Sequence, residues 1–125
     1  MNPETFFLNP DPEMTIMSGA STRSTVAVSN YSHYNDRLNV KSSKGYTLSG
    51  TIKPDMAAPG TDVFGPVPGG RFEKRTGSSI SAAHAAGAAA LLFQWGLLGG
   101  IIINMDGNDI RRLLIQGAIP KGGEA

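Results

Sequence analysis

Cysteine is absent from the 125 residues. Its absence excludes disulfide frameworks, thiolate zinc sites and cysteine nucleophiles, and leaves the redox compartment open. Only two histidines are present, His33 and His84, and they form no ligand cluster, so no transition-metal site is expected. Charge of one sign is also lacking: 11 basic residues face 10 acidic ones, for a net charge of +1. That balance argues against nucleic acid or an anionic membrane held by bulk charge. The start, MNPETFFLNPDPE, has no basic region followed by an apolar core and is not read as a signal peptide. Nothing in the composition points to a compartment.

What is present suits one domain over residues 1–125, with 40% hydrophobic residues and 16 glycines. The longest apolar stretch runs from Ala82 to Ile103. It has the length of a membrane span, for which about 20 residues suffice. His84, Gln94 and the glycines Gly87, Gly96, Gly99 and Gly100 interrupt it. The Gly99-Gly100 pair reads as a break, since each glycine costs a helix about 1 kcal/mol. The stretch is therefore read as a buried helix over Ser79–Trp95, a turn, and a short apolar run at Ile101–Ile103, with no membrane partner.

Upstream, residues 1–20 read as loop-rich with room for one short strand. The β-branched run Ser24–Asn30 suits a strand buried on both faces. The stretch from Arg37 to Asp55 reads as extended loop or hairpin. Short strands are expected on either side of Pro59-Gly60 and of the turn Pro68-Gly69-Gly70. A second helix is expected over Asn108–Gln116, with Asn108 as its cap and Ile110, Leu113 and Leu114 on one face. Residues 118–125 read as a tail. Strands mixed with two helices define an α/β chain.

The chemistry centres on Ser79. Gly77 permits a tight backbone just ahead of the long helix. Ser79 then stands at a helix N-terminus, where free backbone N–H groups and the positive end of the dipole can stabilise a developing oxyanion. A serine there is more commonly a plain N-cap. The α/β-hydrolase elbow G-x-S-x-G is not met, because Ser81 occupies the place of its last glycine.

The wider pattern resembles the subtilisin-like serine proteases, whose active-site serine lies in G-T-S-x-A-x-P-H-V-A-G. Gly77, Ser79, His84, Ala86 and Gly87 match it residue for residue. KPDMAAPG, Lys53 to Gly60, resembles the family's K-P-D-[IV]-x-A-P-G and includes Pro59 and Gly60. TVAVSN, Thr25 to Asn30, is similar to the strand that precedes it. The resemblance extends from about Arg23 to Gly117, and the stretch Phe64–Gly69 with Ala83 looks closest to clostridial and gut-bacterial members. The departures, Ser78 for threonine, Ser81 for alanine, Ala83 for proline and Ala85 for valine, are all small and spare the nucleophile.

The resemblance implies a parallel sheet flanked by helices, with the long central helix following the active-site serine. It implies proteolysis with Ser79 as nucleophile and its backbone N–H as one oxyanion donor. Family members often bind calcium through loop oxygens, but no such site is assignable and no cofactor is identified. The family's triad also needs an Asp in D-[ST]-G and a His in H-G-T, with an oxyanion Asn after glycine. None of these contexts precedes Ser79, so the chain resembles the C-terminal half of such a domain, with the N-terminal part as its partner and polypeptide as substrate.

His84 is a poor substitute base. Five residues along one helix place it about 140° around and about 7.5 Å up the axis from Ser79. It is expected as a hydrogen-bonded core histidine, with His33 solvent-facing. Trp95 is expected as a packing anchor and Arg111-Arg112 as a solvated face. The competing reading is a non-catalytic fragment or pseudoprotease that binds a partner or a complementing half.

Overall fold

The computed structural model describes residues 13–102 and 104–120. The expectations for residues 1–12, for the tail beyond 120 and for Ile103 lie outside the described residues.

Three strands form one sheet: β1 (Val28–Ser32), β2 (Arg37–Leu38) and β3 (Met56–Pro59), in the order β2-β1-β3. β1 and β3 run parallel, with Val28 opposite Met56 and Tyr31 opposite Pro59. β2 folds back antiparallel on β1. A separate hairpin joins β4 (Val63–Val67) to β5 (Arg71–Arg75) through the expected turn, where Gly69 and Gly70 have φ of 87° and 70°. The left-handed region favours glycine at both positions. Thr15–Met17 forms no strand; a single 3-10 turn follows at Ser18–Ala20.

The first strand starts later than its β-branched run predicts. Ahead of Val28, side chains take part of the backbone's hydrogen bonding, although the Ala27 carbonyl still accepts Asp55 N–H at 2.8 Å. The Thr25 carbonyl accepts from Lys53 Nζ at 2.7 Å, and Ala27 N–H donates to Asp55 Oδ2 at 2.8 Å. Lys53 and Asp55 are themselves joined at 2.6 Å, with side chains 0% and 1% exposed. Arg111 completes the group, donating through Nε to Asp55 Oδ1 at 3.0 Å. This corrects the expectation that Arg111 lies on a solvated face. The burial of Asp55 works against its ionisation, but hydrogen bonds from Lys53, Ala27 and Arg111 outweigh it and hold the carboxyl below the ordinary carboxylate value.

The long helix α1 (Ser78–Phe93) begins at Gly77 and packs against β1 and β3. It buries Ser81 and Ala85, one turn apart on a single face. It continues as one wide turn over Gln94–Leu98 rather than ending at Trp95. Gly96 allows this closure: a Cβ there would meet Met105 Sδ at 2.5 Å, and the Gly96 carbonyl accepts from Ile101 and Ile102 N–H at 3.0 and 3.1 Å. Trp95 is 50% exposed rather than a buried anchor.

Helix α2 (Gly107–Gly117) packs against α1. Its cap is Asp106, not Asn108: Asp106 Oδ1 accepts from Asn108 and Asp109 N–H at 2.8 and 3.0 Å. Asp109 returns the bond to Asp106 N–H at 3.2 Å, so acid caps acid in a reciprocal box. The Asp109 and Asn108 N–H bonds hold the Asp106 carboxyl below the usual carboxylate value.

The core is small. Among the described residues, Ala27, Ala58, Ala85, Met105 and Ile110 are its buried hydrophobic members. The span Ser78–Leu98 is long and apolar enough to cross a membrane, and only 17% of an 18-residue apolar window within it is buried. It packs against the sheet and α2, while Leu91 and Leu98 are exposed.

Candidate active site

The parallel strands β1 and β3 end on the side where α1 begins. After Pro59, Gly60 closes the ladder by donating to Tyr31 O at 3.1 Å, and its own carbonyl accepts Gly77 N–H at 2.8 Å. Pro59 suits the last place on β3 because that strand is a sheet edge and needs no outward N–H there. Thr76 binds across the same junction, accepting from Asp62 N–H at 2.9 Å and donating to Asp62 Oδ1 at 3.3 Å. The hairpin is thereby fixed at both of its roots.

Gly60 has no room for a side chain. A Cβ there would lie 2.1 Å from Ser81 Oγ, 2.7 Å from Asn30 Oδ1 and 2.8 Å from the Gly77 carbonyl. Gly77, by contrast, has an extended backbone with φ 171°, and a Cβ there would meet nothing nearer than Ser79 N at 3.9 Å. The expectation of an unusual backbone at Gly77 is corrected: the steric demand for glycine falls on Gly60. Gly60→Ala should lower stability by about 3 kcal/mol, since two of the three obstructing atoms are held by the fold. Gly65→Ala, where nothing lies within 4 Å, is the control. Equal melting temperatures for the two variants would refute this account.

Ser79 is the second residue of α1 and is exposed. Gly77 supplies no side-chain cap. The Gly77 carbonyl accepts Ile80 and Ser81 N–H at 3.0 and 3.4 Å, while Ser78 and Ser79 N–H have no acceptor among the described residues. An exposed hydroxyl thus stands beside two outward N–H donors at the positive end of the helix, an arrangement able to receive an oxyanion.

The structure does not bring His84 to Ser79. His84 is exposed, and its Nδ1 lies 3.1 Å from the Ile80 carbonyl one turn earlier. A carbonyl only accepts, so Nδ1 carries the proton in that bond. The core placement expected for this ring is therefore corrected: it is hydrogen-bonded but uncovered in this chain. His33 is exposed and packs its ring on Tyr34, with centroids 4.0 Å apart. Among the described residues, no base is hydrogen-bonded to the Ser79 hydroxyl and no group of three His, Cys, Asp or Glu side chains could hold a metal.

The roles of two residues escaped the sequence reading. Arg111 reaches Asp55 across 56 positions, a separation no local pattern reports. Ser81 entered the sequence reading as a break in the G-x-S-x-G elbow and as a small departure from alanine, yet it is fully buried and donates to the Ala58 carbonyl at 3.0 Å.

This parallel-strand junction with an exposed serine opening a long apolar helix is the arrangement of a subtilisin-like fold. The subtilase family pattern matches residues 9–125, and the chain belongs to the subtilase family. It is similar to the C5a peptidase of Streptococcus pyogenes, with 36% identity over 85 residues, covering 68% of this chain and 7% of that protein. Pyrolysin of Pyrococcus furiosus is 34% identical over 86 residues, covering 67% of this chain and 6% of its own length. Among solved structures, the Clostridium perfringens CspB protease superposes with a TM-score of 0.90 at 32% identity, covering 99% of this chain and 27% of that one. The protease domain of PatA matches with a TM-score of 0.66 at 30% identity, over 82% of this chain and 37% of its own. The chain thus spans a small fraction of the relatives it matches.

Proposed function

We propose that this chain forms the C-terminal part of a subtilase catalytic domain that cleaves peptide bonds in proteins, with Ser79 as nucleophile. The observation that carries this reading is the exposed Ser79 hydroxyl beside the unpartnered Ser78 and Ser79 N–H groups. In the completed domain, Ser79 Oγ attacks the scissile carbonyl carbon and passes its proton to a histidine base supplied by the rest of the domain. The carbonyl oxygen takes the negative charge and is held by the Ser79 N–H. Collapse expels the amine, which takes up the proton, and water then releases the acyl group from Ser79 by the same route. His84 keeps a structural part within α1. No cofactor enters these steps.

The partner in this reading is the remainder of the domain. The bare apolar surface supports it: Leu91, Trp95 and Leu98 are 68%, 50% and 81% exposed, along a helix that would otherwise lie in water. Large apolar patches and open strand edges favour association. The isolated chain is therefore expected to sediment as associated species and to leave casein uncut. Joined to the completing part, it should become monodisperse and react with a serine-directed fluorophosphonate. A monodisperse isolated chain that melts cooperatively would overturn the folding claim. Serine-dependent cleavage by that chain would overturn the need for a supplied base. A folded completed domain that neither cleaves nor labels would leave the non-catalytic binding module as the reading.

A further inference from the structure

Ser81 lies two residues beyond Ser79, about 200° around α1, so the two serines face opposite ways. Ser79 is exposed, while Ser81 is 0% exposed. A serine inside a helix commonly bonds back to its own preceding turn. Ser81 instead donates to Ala58 of β3, at 3.0 Å. Alanine, which the family motif carries at this place, would fill the space without making that bond.

The first turn of α1 has few other fastenings. Its N-cap, Gly77, offers no side chain, and the turn is tied to the sheet through Gly77 N–H to the Gly60 carbonyl at 2.8 Å. Uncapped helix ends fray. Fraying here would displace the Ser79 hydroxyl and its N–H together. Ser81 ties the same turn to β3 from below, and the missing side chain of Gly60 leaves room for its hydroxyl. We infer that Ser81 is a positioning residue for Ser79: its hydrogen bond to Ala58 fixes the turn that presents both the nucleophile and the oxyanion donor.

The inference rests on the Ser79 reading. It is tested in the completed catalytic domain with Ser81→Ala, measuring kcat and KM on a peptide substrate together with the fluorophosphonate labelling rate. Loss of one neutral hydrogen bond should lower kcat and the labelling rate by about fivefold. KM should be unchanged, because Ser81 is sealed from substrate. Measured well below the melting temperature, a merely structural serine would leave kcat alone. A kcat within twofold of the parent would overturn the inference. Should Ser81→Ala fail to fold, Ser81→Cys, similar in volume but a weaker donor, is expected to show the same direction of kcat loss, and an unchanged kcat there is equally fatal. Ser79→Ala separates the two readings. Labelling that survives in Ser79→Ala sinks the nucleophile assignment, whereas labelling lost there with kcat intact in Ser81→Ala sinks only the positioning role.

Discussion

Replacing Ser79 with alanine in the completed domain should remove peptidase turnover by about 10⁶-fold in kcat, the scale of triad-serine loss in subtilisin-type enzymes. Fluorophosphonate labelling should vanish with it. The fold should survive, since Ser79 is exposed and its hydroxyl has no hydrogen-bond partner among the described residues. Alanine at the second position of a helix is also no worse a helix former. Activity should then fall without a change in melting temperature, which separates chemistry from folding. Ser78 provides the sharper control, because it is exposed on the same turn, one residue earlier. Ser78→Ala should keep labelling and most of the turnover. If label persists in Ser79→Ala and disappears in Ser78→Ala, the nucleophile has been assigned to the wrong serine.

The helix and its opening serine were legible because they are local. An apolar run behind a glycine and two serines needs no distant partner to be read as a helix start. Its buried face was not legible. Nearly every position of α1 from Ala82 to Phe93 is apolar or small, so no periodic contrast marks the side that meets the sheet. The most buried position, Ser81, is polar and owes its burial to a carbonyl on β3. The glycine that matters was also misplaced. A positive φ leaves a trace in turn chemistry, but the need at Gly60 comes from the close approach of Ser81, Asn30 and Gly77, which only the assembled junction shows. The late start of β1 has the same origin, since Lys53 and Asp55 side chains occupy backbone groups that a strand neighbour would otherwise take.

Asp55→Ala should destabilise the completed domain by about 3–5 kcal/mol, the cost of removing one member of a buried ion pair. Three groups depend on this carboxylate. Lys53, whose side chain is 0% exposed, would keep only the Thr25 carbonyl as partner. Ala27 N–H would lose its acceptor, and Arg111 would lose the anchor that ties α2 to the sheet. Arg111→Met should cost less, about 1 kcal/mol, because its side chain is 35% exposed and water can replace the pair. The pH dependence follows from the depressed ionisation of Asp55. A carboxyl bound more weakly to its proton in the folded state contributes fully above its ordinary, unfolded value. The contribution fades as pH falls through the lower folded value, because protons then favour the unfolded chain until both states are protonated. Urea unfolding of the parent and of Asp55→Asn should therefore differ by a constant amount at neutral pH. The difference should narrow as pH falls below the ordinary carboxylate range. A difference that stayed constant across that range, or a loss under 1 kcal/mol at neutral pH, would show that the Lys53–Asp55–Arg111 group does not hold α2 to the sheet.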